Sequence, residues 1–301
     1  MFMIIDAHAH ALENPRIRHS PRTTQFMSAA EQIALMDRLG IDKAVLLPLG
    51  NPEVLPEYQG IDEILRICER YRGRFIPFCN VDPRLKGSHF YRADLSHFEF
   101  ILNQYKDLGC KGLGEVAANL YWNDPALLAL LGACQEVGFP VTFHTTIAGS
   151  NDYGLIDEVG LPLFEKVLQE FPDLVFLAHS QGFWAEISGD VKAEDKLGYP
   201  QGPVKPGGAV PRLMRKYPRV YGDLSANSGL NALTREPNHA YEFIDEFQDR
   251  LVFGLDYCLA QHDWKHMQWL QGARDEKHIT PEAYEKIMWK NIDRVLHLNV
   301  V

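Results

Sequence analysis

Eight short apolar runs, each followed by a longer amphipathic stretch, constrain this 301-residue chain more than any other feature. The runs are Phe2–Asp6, Lys43–Pro48, Arg74–Val81, Cys110–Gly114, Pro140–His144, Leu174–His179, Val220–Leu224 and Leu251–Asp256. Helical periodicity spans Ser28–Leu39, Ile61–Tyr71, Phe98–Leu108, Pro125–Val137, Leu163–Glu170, Ala209–Lys216, His239–Phe247 and Pro281–Leu298. Strands alternating with helices need a parallel sheet with helical crossovers. Eight of them close that sheet into a barrel. An open doubly wound sheet is the rival, weakened because no GxGxxG follows the first run. The expected fold class is α/β, a single (β/α)8 TIM barrel over residues 1–301.

Local signals agree with these boundaries. Asp124-Pro125 and Thr280-Pro281 each place a capping side chain before a proline at the first helical position. Gly40, Gly109 and Gly138 follow helix ends, where a left-handed residue is needed. One segment breaks the rhythm. Phe183–Gly208 has no periodicity and carries Tyr199-Pro-Gln-Gly-Pro203 and Lys205-Pro-Gly-Gly208. Long irregular loops in compact domains are usually binding loops or lids, so it is read as a loop insertion after strand six and a candidate lid.

Composition narrows the function classes. The formal charge of −10 argues against general nucleic-acid binding, which needs a basic face. No window approaches the roughly 20 apolar residues of a spanning helix, so no membrane partner is expected. Cys68, Cys79, Cys110, Cys134 and Cys258 form no CxxC pair and are too few for a disulfide scaffold. Met1–Asp6 lacks a basic leader region, which points to a cytoplasmic protein.

The chemistry gathers where the strand-like runs end. In Asp6-Ala-His8-Ala-His10 the two histidines share one strand face and point into the barrel mouth. His144 ends run five, His179 ends run six and Asp256 ends run eight. A barrel brings all strand C-termini around one mouth, so imidazoles and a carboxylate there read as a metal site. Glu115, at the end of run four, reads as a metal ligand or bridge, as a buried carboxylate paired with a barrel cation, or as a substrate contact. Arg16, Arg18 and Arg22 follow run one and suit bidentate capture of a carboxylate, unless they form a merely exposed basic loop. Asn119 and Trp122 follow run four, where an aromatic wall for a substrate ring is expected. Tyr257 either faces the site or packs beneath it. His262 and His266 lack the HExxH pattern and are expected on a solvated face.

The order HxH, His, His, Asp on strands one, five, six and eight resembles the amidohydrolase superfamily. More narrowly, it resembles the branch that includes aminocarboxymuconate semialdehyde decarboxylase. Ile5–His10, Gly109-Cys-Lys-Gly112, Leu177-Ala-His179, Phe253-Gly-Leu-Asp256 and the closing Ile287–Leu298 helix carry the likeness. The resemblance implies a divalent metal, most simply Zn²⁺ with Mn²⁺ as the alternative, held by His8, His10, His144 and Asp256. One ion is implied, or two if Glu115 bridges. His179 would lie beside the activated water or hold the second ion, and Asp256 and His179 would be the catalytic pair.

The expected function is metal-dependent hydrolysis of a small-molecule amide, lactone or ester by a metal-activated water. The alternative is metal-dependent nonoxidative decarboxylation of an aromatic or unsaturated carboxylic acid. Glu115 favours the first and the arginine loop the second. A barrel that only binds a ligand would have no reason to keep the full ligand set. The partner is a small molecule, a carboxylate among the candidates, and the aromatic Trp264–Trp269 stretch could form a homodimer surface.

Overall fold

The computed structural model describes residues 2–18, 24–54, 58–86, 93–263 and 265–300. Arg22 and Trp264, singled out above, lie outside these residues. All eight expected strands form: β1 (Ile5–Ala9), β2 (Lys43–Leu46), β3 (Phe75–Pro77), β4 (Leu113–Val116), β5 (Val141–Phe143), β6 (Phe176–Ala178), β7 (Val220–Asp223) and β8 (Leu251–Val252). They pair in parallel as β1-β2-β3 and as β4-β5-β6-β7-β8. Backbone hydrogen bonds close the two seams. Cys79 N–H donates to Gly112 O at one, and Ala7 N–H to Phe253 O and Asp256 N–H to His8 O at the other. The barrel is complete.

Helices pack outside as the caps dictate. Asp124 accepts from Ala126 N–H to start Pro125–Val137, and Gly138 ends it at φ 80°. Ser28 and Glu31 make a reciprocal capping box for Ala29–Leu39. Ala226–Thr234 and His266–Asp275 are helices that the periodicity did not reveal. Asn227, Ser228 and Gly229 interrupt the first with poor helix formers. Gly229 is required there, because a Cβ would lie 2.1 Å from Leu224 O. Inside the barrel Ile5, Val45, Phe78, Leu177 and Val252 pack together and are capped by Ile292 and Leu296 of the C-terminal helical segment.

The Phe183–Gly208 segment is less irregular than its sequence. It continues the short helix Gln181–Trp184 into helical turns at Ala185–Ile187 and Ala193–Leu197. Its opening residues are core: Phe183 and Trp184 are buried, and Trp184 Nε1 donates to Asp223 O at 2.8 Å. Buried Lys196 bonds Glu186 at 2.8 Å, and Arg235 donates to Gly202 O and Pro203 O. These contacts tie the segment to the barrel at its start, its middle and near its end. Among the described residues no helix is long and apolar enough to cross a membrane.

Candidate metal centre

Ile5 and Ala7 of β1 turn into the barrel. A register shift between Asp6 and Ala9 reverses the alternation, so that His8, and His10 just past the strand, also face the mouth. Asp6, His8 and His10 are all buried. His10 Nδ1 lies 2.9 Å from Leu47 O. A carbonyl only accepts, so Nδ1 carries the proton and Nε2 presents its lone pair. His8 Nδ1 likewise donates to Asp223 Oδ2 at 2.6 Å. The two Nε2 atoms then face each other at 3.0 Å. Two lone pairs at that distance need a cation or a proton between them.

Other donors surround the same point. Glu115 Oε2 is 3.6 Å from His10 Nε2 and 3.9 Å from His8 Nε2. Asp256 Oδ1 is 3.4 Å from His10 Nε2 and 3.8 Å from His8 Nε2. Donors each about 2.1 Å from one ion stand roughly 3.0 to 4.2 Å apart across tetrahedral and five-coordinate geometries. The set fits a divalent ion. His8, His10 and Asp256, and separately His8, Glu115 and His179, bring one ligand atom each within 4.8 Å of one another.

The far side of Glu115 meets the other histidines. Its Oε1 lies 2.9 Å from His144 Nδ1 and 3.9 Å from His179 Nε2. Asp256 Oδ2 is 3.7 Å from the same His179 nitrogen. His144 Nε2 is buried without a hydrogen-bond partner, and the ring lies against Tyr153 with centroids 4.4 Å apart. Asn80 Nδ2 donates to Glu115 O at 2.7 Å and fixes this end of β4. Asp256 holds a left-handed backbone, φ 55°, unusual for a non-glycine residue and common at functional sites.

Electrostatics follow from this crowding. Burial works against a charge on His8, yet the carboxylates of Asp223, Asp256 and Glu115 outweigh it and raise its pKa to about 10. Burial lowers His179 to about 4, helped by the positive charge of His8, so this imidazole is neutral. Glu115 is held well below the ordinary carboxylate range: burial opposes its charge, but the imidazoles of His10, His144 and His8 around it win. Burial pushes Asp6 up to about 7 against the amides of His8 and Leu255.

His8, His10, Glu115, His179 and Asp256 come together, whereas His144 reaches this group through Glu115, and the substrate residues divide. Glu115 pairs with imidazoles rather than with a barrel Lys or Arg. Arg16 and Arg18 are exposed on the loop after β1. Asn119 is exposed, and its Oδ1 accepts from Gly154 N–H at 3.0 Å. Trp122 does not form a wall of the mouth. It is fully buried among Phe143 and Phe164, each with centroids 4.7 Å away, because a large apolar ring gains more from the core than from the rim. Tyr257 is buried and lines a cavity together with Met27, Leu35 and His262. His266 is also a correction: it is buried with Nε2 2.9 Å from Ala226 O, because its helix turns that face to the barrel.

Asp223, Ser225, Tyr153 and Cys258 were not singled out from the sequence. Ser225 Oγ lies 2.8 Å from His179 Nδ1, and the Cys258 thiol donates to Asp256 Oδ1 at 3.1 Å. The available signal was Asp223-Leu-Ser225, two polar residues alternating at the end of strand seven as His8 and His10 do on strand one.

Comparison with known proteins fits this geometry. The family model described as Amidohydrolase matches residues 5–298. An uncharacterized TIM-barrel protein from Bordetella bronchiseptica is 20% identical, with a TM-score of 0.63 and 98% of each chain covered. A probable 2-pyrone-4,6-dicarboxylic acid hydrolase from Acinetobacter baumannii, with citric acid bound, is 15% identical, TM-score 0.59, covering 98% of this chain and 99% of that one. A 5-carboxyvanillate decarboxylase from Novosphingobium aromaticivorans, with bound manganese, is 13% identical, TM-score 0.57, covering 98% of this chain and 97% of that one. At these identities the likeness establishes the barrel fold. No curated protein matches this chain.

Proposed function

The chain belongs to the amidohydrolase family, which holds both hydrolases and decarboxylases, and from that premise we propose a two-ion hydrolase of small-molecule amides, lactones or esters. The observation that carries this reading is the two-sided Glu115, with Oε2 toward His8 and His10 and Oε1 toward His144 and His179. His8, His10, Asp256 and Glu115 Oε2 would hold one ion, Zn²⁺ or Mn²⁺. Glu115 Oε1, His144 and His179 would hold the other. Divalent ions bound there would supply Lewis acidity, making water a nucleophile near neutral pH and polarising the substrate carbonyl.

The protein's own groups handle the proton. Asp256 has the most exposed carboxylate of the set, 16% against 4% for Glu115. It takes the proton of the attacking water as the new carbon–oxygen bond forms, then gives it to the leaving nitrogen or oxygen as the scissile bond breaks. Neutral His179 turns Nε2 to the second ion while Ser225 holds Nδ1. Arg16, Arg18 and Asn119, exposed beyond the mouth, are the proposed substrate contacts.

The test is metal content per chain by inductively coupled plasma mass spectrometry after reloading with Zn²⁺ or Mn²⁺, followed by a panel of amides, lactones and esters. Two ions and turnover of one of these classes are expected. One ion per chain, with CO₂ release from an aromatic or unsaturated carboxylic acid, would replace hydrolysis with decarboxylation.

A further inference from the structure

We infer that Asp223 and Ser225, at the end of β7, are positioning residues that set which imidazole nitrogen His8 and His179 turn toward the metal; this rests on the metal reading of the site but not on the number of ions. Neither residue reaches the cluster of donors directly. Each acts through a histidine.

Asp223 is buried, and each of its carboxylate oxygens accepts one hydrogen bond. Oδ2 accepts from His8 Nδ1 at 2.6 Å, and Oδ1 accepts from Ser225 N–H at 3.0 Å. Both partners are donors, so both oxygens must be acceptors, a demand that only a carboxylate meets. With Nδ1 protonated, His8 can offer Nε2 alone to an ion, and a carboxylate behind the ring makes that nitrogen a better ligand. Ser225 Oγ, 2.8 Å from His179 Nδ1, occupies that nitrogen and leaves Nε2 facing the cluster. Able to donate or accept, the hydroxyl orients the ring without fixing its proton.

The surrounding backbone keeps Asp223 in place. Trp184 Nε1 donates to Asp223 O at 2.8 Å, so the opening of the segment after strand six braces strand seven. Gly254 leaves the space that the group occupies. A Cβ there would lie 2.8 Å from Asp223 Oδ1, 2.8 Å from Ser225 Cβ and 3.1 Å from His8 Cβ.

Asp223→Asn separates positioning from packing, because it preserves shape and removes one acceptor. The amide NH₂ must face either Ser225 N–H, a donor against a donor, or His8 Nδ1. In the second case His8 shifts its proton to Nε2, where an ion should bind. The experiment is Zn²⁺ titration of the stripped full-length chain against a chromophoric chelator, with thermal melting of the stripped proteins as the control for folding. The expected result for Asp223→Asn is a Zn²⁺ Kd raised roughly 10- to 100-fold with the stripped protein still folded. Ser225→Ala is expected to weaken whichever ion His179 contacts. A folded Asp223→Asn protein that binds Zn²⁺ within threefold of the parent overturns the inference.

If Asp223→Asn does not fold, the ¹⁵N-histidine spectrum of the Zn²⁺-loaded parent decides. A proton on Nδ1 of His8 supports the assignment and a proton on Nε2 overturns it. A parent that binds one ion would count against the bridging role of Glu115, while the effect of Asp223→Asn on that one ion would still test this inference.

Discussion

Glu115 Oε1 lies 2.9 Å from His144 Nδ1, while the other oxygen of the same carboxylate turns to the pair formed by His8 and His10. A carboxylate buried on both sides by imidazoles is costly to charge unless those rings, or ions between them, stabilise it.

Glu115→Gln keeps the size of the side chain and removes one ligating oxygen. Metal content is expected to fall from two ions per chain to one, and kcat/KM by at least about 100-fold. Elemental analysis beside steady-state kinetics checks both. Retention of two ions would remove Glu115 from the bridge.

His8→Ala and Asp256→Asn are each expected to abolish activity and leave the barrel folded. The altered groups sit at strand ends rather than in the packed layers below. Asparagine also tolerates the left-handed backbone, φ 55° at Asp256, better than most residues do. Far-UV circular dichroism and melting of the stripped proteins provide the check. Global unfolding of His8→Ala would make the metal structural.

Trp122→Ala tests the core placement of this ring. Removing a fully buried tryptophan should cost about 3–5 kcal/mol in a denaturant titration. The substrate KM of the folded fraction should stay unchanged. A raised KM with unaltered stability would instead put Trp122 at the mouth.

A pH effect on stability is expected at Glu165, which bonds Lys216, Arg212 and Tyr217. Burial opposes its charge, but these bonds outweigh it and lower the pKa from 4.5 to about 2. Because the folded value is depressed, the contribution is complete above pH 4.5 and is lost as pH falls through about 2. Arg212 and Lys216 are 45% and 56% exposed, so screening keeps the effect near 1 kcal/mol or less. The stability difference between parent and Glu165→Gln, followed by urea unfolding from about pH 6 to about pH 2, should shrink steadily below pH 4.5 and be reduced but not abolished at the acid end.

The eight strands were legible because each is a short apolar run bounded by capping or turn residues, signals that act over a few positions. Legible for the same reason were Pro125–Val137, with Asp124 and Gly138 at its ends, and Ala209–Lys216. Ala226–Thr234 was not, since its internal Asn, Ser and Gly oppose helix locally and packing against neighbouring elements, with Gly229 close against Leu224, supports it.

The sequence by itself determined the barrel and the set of ring and carboxylate donors at its strand ends, since strand periodicity puts His8 and His10 on one face. A register shift between Asp6 and Ala9 in the folded sheet turns that face to the mouth. Only the tertiary structure decided how those donors are used. His8 is oriented by Asp223, 215 positions away, and Trp122 leaves the rim for the core. Hydrogen bonds and burial are settled between elements that meet only when the barrel closes, and no local pattern along the chain encodes that meeting.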